Sequence, residues 1–241
     1  MSEKIAVYTF ITNEPLFLPI WLAYYSKYFK GEDIYVQRHD IKGDWFDKLK
    51  EQYKFNDIQR PDTDARYQDW GLAEPIKGKQ VNADFVNSLF AKGYTCIISA
   101  DADEFIIADP DKYDGLRHFV ETNKDKYYHC QGYEIVQNQD EEGDIDFTKP
   151  VLPQRKYWWK DARYNKPLVF RELLNWVIGK HFIEGKEQEL WSPHPDLYLF
   201  HLTRVDLFAY IARPNQNRKP EWFQLNKEEF TLLPDRFKKL L

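Results

Sequence analysis

Cysteine is scarce in this 241-residue chain: Cys96 and Cys130 are the two present, well separated and in apolar, strand-like surroundings. That count excludes a disulfide scaffold and argues against a structural zinc site. A reducing, cytoplasmic setting is the expectation, with the membrane periphery as its outer limit. No apolar run approaches the ~20 residues that span a bilayer, so no transmembrane segment is expected. The opening Met1-Ser2-Glu3-Lys4 lacks the basic-then-apolar order of a signal peptide. Basic residues are not in excess. Lys and Arg total 34 against 39 Asp and Glu, a net charge of −5, which gives no electrostatic case for a nucleic-acid partner.

Aromatic rings are plentiful, at 17% of the chain, within an ordinary 43% hydrophobic and 30% charged composition. Such a chain folds around a sizeable core and has rings to spare for a cleft. Its first half alternates strand and helix signals. Ile5 to Ile11 reads as a strand buried on both faces, and Asn13-Glu14-Pro15 as a helix start. Aromatic residues then recur at helical spacing up to Phe29. Asp33–Gln37 is a second strand, Trp45–Tyr53 a second helix, and residues 58–78 a long connection of the kind that often carries function. A third helix with Val81, Phe85, Val86 and Leu89 on one face leads to the strand Tyr94–Ser99. This alternation predicts an α/β fold with a mostly parallel central sheet flanked by helices.

The second half reads differently. Tyr127–Gln137 is one long strand, followed by Lys166–Arg171 and Leu197–Leu202, with a helix at about Val205–Ala212. One domain, 1–241, is expected: a nucleotide-binding half over 1–110, a mixed half over 111–213, and a C-terminal tail over 214–241.

The sharpest feature is the acid cluster Asp101-Ala102-Asp103-Glu104, which ends an apolar strand and precedes the apolar run Phe105 to Ala108. Ligands of open α/β sheets bind beyond the carboxyl ends of strands. Clustered like charges raise one another's pKa unless a cation lies among them, so loss of one acid is expected to leave the fold intact. Hard oxygen donors suit Mg²⁺ or Mn²⁺. Three further Asp-x-Asp triplets, at 62/64, 109/111 and 144/146, lie in turn-rich segments, where Asp is a routine turn residue.

Three stretches together resemble the GT-A glycosyltransferases of the family-2-like and family-92-like group. They are Thr9 to Tyr25, with its Asn13-Glu14 turn and Trp-Leu-x-Tyr-Tyr helix; Asp101-Ala102-Asp103-Glu104-Phe105; and a C-terminal set. That set comprises Lys166 to Arg171, Gly179-Lys180-His181 and His201-Leu202-Thr203-Arg204-Val205-Asp206. The resemblance runs from about residue 5 to 210. It implies a GT-A-like fold with a mixed C-terminal half and transfer of a sugar from a nucleotide-sugar donor to a carbohydrate or glycoconjugate acceptor, in glycan or polysaccharide biosynthesis. A bound Mn²⁺ or Mg²⁺ would stabilise charge on the departing diphosphate.

The resemblance further implies that Asp101 lies at the ribose or metal, that Asp103 binds the metal, and that His201 is a late metal ligand. Donor contacts are expected from Thr12, Asn13, Glu14 and Asp40 around the base. Lys79 at the third helix, Arg171 and His181 are expected nearer the phosphates. Asp161, Glu172 and Asp196 are candidates for a general base, and the pattern does not choose among them. Trp158, Trp159, Tyr157 and Tyr164 form a candidate acceptor lip. A nucleotidyltransferase would use similar acids, but its Gly-rich phosphate loop is missing from Thr12-Asn13-Glu14-Pro15. A non-catalytic sugar-binding protein on the same fold is the remaining alternative.

Overall fold

A computed structural model of the chain describes residues 3–39, 41–60, 75–213, 219–223 and 225–241; the side chains of 75–79, 178 and 222 are outside that description. The architecture is α/β with two mixed sheets rather than one. Apolar, β-branched and aromatic residues crowd β1 (Ile5–Thr12), whose two faces are both buried, so it takes the centre of the first sheet. It pairs in parallel with β2 (Ile34–His39) on one side and β4 (Cys96–Ser99) on the other, and β2 pairs in parallel with β3 (Asn56–Gln59). The pairing of Tyr94–Ser99's core with Ile5–Ile11 follows the sequence expectation.

The parallel pattern then ends. β9 (Pro167–Phe170) runs antiparallel to β4, and β6 (Tyr127–His129) antiparallel to β9. The run Tyr127–Gln137, expected as one strand, is two. β6 belongs to the first sheet, the chain crosses at Cys130, and β7 (Gln131–Val136) belongs to the second. That second sheet adds β5 (Glu104–Ala108), β8 (Tyr157–Lys160), β10 (Leu197–His201) and β11 (Thr231–Leu232) in the order β11-β8-β7-β10-β5. β4 leads into β5 across the acid cluster, which is a second crossing between the sheets. The acids therefore lie at the seam.

Helices cover the first sheet by the alternation of its side chains. Ile5, Val7 and Ile11 join the core shared with α1 (Phe17–Tyr25) and α2 (Trp45–Gln52). Ala6 and Tyr8 face Val86 and Leu89 of α3 (Pro75–Ala91). A short helix, α4 (Leu116–Thr122), adds Leu116, Phe119 and Val120 to the larger core. The Asn13-Glu14-Pro15 segment does not cap α1 through a side chain. Leu16 is the N-cap, and Asn13, at φ +51°, accepts hydrogen bonds from Trp45 Nε1 (3.2 Å) and Lys42 N (3.4 Å). The Trp-Leu-x-Tyr-Tyr helix has a structural task. β5 is an edge strand, and Ile106 donates its N–H to Tyr25 (3.1 Å) while its carbonyl accepts from Tyr24 (2.8 Å). An edge so occupied is closed to strand addition.

The tail is part of the fold. Phe237 is fully buried with its ring against Trp158, Tyr198 and Phe200, at centroid distances of 5.7, 4.9 and 5.2 Å. No helix among the described residues is long and apolar enough to cross a membrane.

Candidate active site

Strands β1, β2 and β4 are parallel, so their carboxyl ends share one sheet edge, and the β4–β5 turn carries Asp101, Asp103 and Glu104 there. The turn is tightened by its own groups: Glu104 N donates to Asp101 O (2.9 Å), and Asp101 N donates to Glu104 Oε2 (3.2 Å). The register His201↔Glu104 and His201↔Glu134 sets one histidine of β10 between acids on both neighbouring strands.

The expected mutual repulsion of the acids is outweighed, because each has its own cation. Lys166 reaches Glu104 Oε1 at 2.5 Å, with both groups buried. Lys180 holds Asp101 Oδ1 at 3.1 Å and Ser99 Oγ at 2.9 Å. Asp103 Oδ2 accepts from Arg213 Nη1 and from Thr203 Oγ1 (2.8 Å), and lies 3.3 Å from His201 Nε2. Arg213 is clamped from behind by Glu14 Oε1 at 3.0 Å. Burial works against the Asp103 carboxylate, but Arg213 and His201 outweigh it and hold its pKa well below the usual range. Desolvation likewise opposes ionisation of Asp101, and the Lys180 and Lys166 charges overcome it.

His201 is fixed at both nitrogens. Its Nδ1 donates to Glu134 Oε2 at 2.9 Å, and its Nε2 faces Asp103 and Thr203 Oγ1 (2.9 Å). Burial disfavours the imidazolium, but Glu134 and Asp103 push its pKa up to about 10. A carboxylate on Nδ1 is also the device that turns a histidine's Nε2 toward a metal. Asp103 and His201 thus fit a divalent ion in donor type and proximity, once the Nε2 proton leaves and Arg213 yields part of Asp103. Among the described residues no three His, Cys, Asp or Glu side chains are gathered as a ready-made cage. An ion here would take its other ligands from phosphate or water.

Other expected residues lie elsewhere. Because β9 runs antiparallel to β4, Lys166 falls at the acid turn and Arg171 at the opposite sheet edge. There Arg171 pairs with Glu3 (3.1 Å) and donates to the carbonyls of Val120 and Asn123 (2.8 Å each). It is a structural clasp. Glu172, beside it, makes a surface pair with Lys126 at 3.0 Å. Asp196 precedes β10, at the end opposite His201, and pairs with Lys112 at 2.6 Å. Asp161 is closer, but its carboxylate is consumed by Arg163, whose N, Nε and Nη2 all donate to it. Glu172 and Asp196 thus lie away from the acid turn, and Asp161 is paired with its own near neighbour.

Thr12 ends β1 beside His39 of β2. His181 follows Lys180, with Nδ1 bonded to Arg163 O at 2.7 Å; burial and the Lys166 charge lower its pKa. Asp40 and the Lys79 side chain lie outside the described residues. Of the aromatic lip, Trp158 is core, stacked on Tyr133 at 3.9 Å. Trp159 is half-buried, its Nε1 donating to Glu229 at 2.9 Å, and the Tyr164 ring lies 4.3 Å from that of His201.

Sequence reasoning missed Glu134, Lys180, Thr203 and Arg213 as site residues. Glu134 alternates correctly for a buried position on β7, and a carboxylate there needs a partner. Nothing local marks Arg213. Beyond Arg213 a groove of about 430 Å³ opens between Leu16, Ile145, Phe147 and Phe208, with Glu14 and Arg213 among its walls. No protein-family model matches the chain, and no curated protein shows detectable similarity to it.

Proposed function

We propose that this protein is a GT-A-type glycosyltransferase that moves a sugar from a nucleotide-sugar donor to a hydroxyl of a carbohydrate or glycoconjugate acceptor, with Mn²⁺ or Mg²⁺ as cofactor. The observation that carries the proposal is the convergence of Asp103 and His201, distant in sequence, at the seam of the two sheets beyond the carboxyl end of β4, with His201 oriented by Glu134. When bound there, a divalent ion would supply positive charge for the diphosphate leaving group. Asp103 and His201 would hold it, and Glu134 would fix the imidazole. Glu14 and Arg213 would brace Asp103 from behind. The donor nucleoside would lie toward Thr12 and the end of β2. The groove beyond Arg213 is large enough for an acceptor, since ligand pockets run to ~300–1,000 Å³.

Thermal unfolding tests it. Uridine, guanosine, adenosine and cytidine diphosphates are added with Mn²⁺, then with EDTA. A nucleotide at 100 times its Kd stabilises the native state by about 2.7 kcal/mol. For a chain of this size that is a rise of roughly 5–11 °C, which chelation should largely remove. If no nucleoside diphosphate raises Tm in the presence of Mn²⁺, the proposal fails.

A further inference from the structure

We propose that Lys180 is the residue that receives the donor's diphosphate, releasing Asp101 as it does so; this rests on the nucleotide-sugar reading above. Every acid of the turn is matched with a cation, so an incoming metal needs a free carboxylate and an incoming diphosphate needs a free cation. One pair can provide both. Lys166 and Glu104 are 5% and 1% exposed, and Arg213 and Asp103 are 7% and 6% exposed. Lys180 and Asp101 are 18% and 43% exposed, so theirs is the pair in the acid turn that solvent and ligands reach. Exchanging Asp101 for phosphate costs the ammonium no ion pair, and Asp101 is left next to Asp103 for the metal.

The backbone holds Lys180 for this task. Gly179 and Lys180 take consecutive left-handed conformations, at φ +75° and +58°. For a lysine that conformation is uncommon, and such backbone persists where surroundings impose it, often at ligand sites. Here Lys180 N donates to Val177 O (3.0 Å), and a bridge between Trp176 and Ile183 closes the base of the loop. A side chain at position 179 would collide with the His181 ring at 2.8 Å, so the loop cannot relax by substitution there. The ammonium also lies over the Tyr8 ring, 5.6 Å from its centroid, which gives it a second resting contact on β1.

The experiment measures three affinities in the full-length protein and in K180M and K180G; glycine relieves the left-handed backbone, so K180G keeps the fold available. Mn²⁺ alone is followed by the loss of its free paramagnetic signal. A nucleoside diphosphate with Mn²⁺, and the matching nucleoside, are followed by calorimetry. Both variants are expected to bind Mn²⁺ alone about threefold or more tightly, because a competing cation has gone. They should bind the diphosphate at least ~10-fold more weakly and the nucleoside unchanged, while K180R recovers much of the diphosphate affinity. A residue that merely braced the turn would weaken all three together. If the native protein binds a diphosphate and the variants match it within about twofold, or bind Mn²⁺ more weakly, the assignment of Lys180 is overturned and the donor-site reading stands. If the native protein binds no nucleoside diphosphate, both fall.

Discussion

Replacing Asp103 by alanine should destabilise the protein, contrary to what a cluster of three acids suggests from sequence. In the folded chain Asp103 is 6% exposed and shared by Arg213, Thr203 and His201. Removing one partner of a buried ion pair typically costs about 3–5 kcal/mol, because a charge is stranded. Arg213 retains Glu14 at 3.0 Å and His201 retains Glu134 at 2.9 Å, which places the expected loss at the low end, about 3 kcal/mol. For a chain of this length that lowers Tm by roughly 6–12 °C. Differential scanning calorimetry near pH 7 measures it, with Asp103→Asn as an intermediate that keeps an acceptor for Thr203. The pH dependence has a definite sign. The folded pKa of Asp103 is depressed, so its stabilisation is complete above the ordinary carboxylate value of 3.8 and is lost as pH falls through the folded value. The gap between native and variant should therefore be full at neutral pH and close in strong acid. A variant that melts within about 1 °C of the native protein, or above it, at pH 7 would show that relief of repulsion dominates and that the ion pairs described here are worth little.

Phe237→Ala should cost about 3–5 kcal/mol in urea unfolding, as for other fully buried rings, because the tail completes the packing around Trp158 and Phe200; an unchanged midpoint would make the tail an appendage. Arg171→Ala should lower stability by about 1.5–3 kcal/mol through its lost charged hydrogen bonds and leave nucleotide affinity unchanged. Burial raises the Glu3 pKa, but Lys124 and Arg171 bring it below 4.5, so its stabilisation is present above that value and lost as pH falls through the folded one. The Arg171 variant should lose less stability across that acid interval, as urea titrations at several pH values would show. Burial pushes the Cys96 thiol up to about 12 and raises Cys130 as well, so an aromatic disulfide reagent at pH 8 should label neither until the protein unfolds.

Much of the first sheet was legible because its strands are buried on both faces: runs such as Ile5–Ile11 leave periodicity little to confuse. The second sheet was not. No Pro and no turn signal interrupts the run from Tyr127 to Val136, yet the chain changes sheets at Cys130. The switch shows in the pairing partners, β9 for β6 and β8 and β10 for β7, and just past it Gly132 lies so close to Tyr164 that a Cβ would meet its backbone and side chain at 2.5 Å. Strand direction decided Arg171. Its distance from Lys166 in sequence is the same whichever way β9 runs, and only the pairing Ile97↔Phe170 sends it to the far edge. Asp103 and His201 could be paired by resemblance alone, whereas Arg213 emerges only from packing, as a cation whose two carboxylates lie far upstream.

The tyrosines that occupy the edge of β5 also bear on how the chain is made. Among the described residues β5 pairs only with β10, which leaves the ribosome on the order of ninety residues later, or roughly 5–18 s at ordinary rates of synthesis. Throughout that interval the nascent chain carries Phe105-Ile106-Ile107 without a sheet neighbour. α1 has already been synthesised by then, and the hydroxyls of Tyr24 and Tyr25 can engage Ile106 as soon as it emerges. Loss of the Tyr24 and Tyr25 hydroxyls would therefore be felt in the yield of folded protein, through an edge left open during synthesis, before it is felt in any finished molecule.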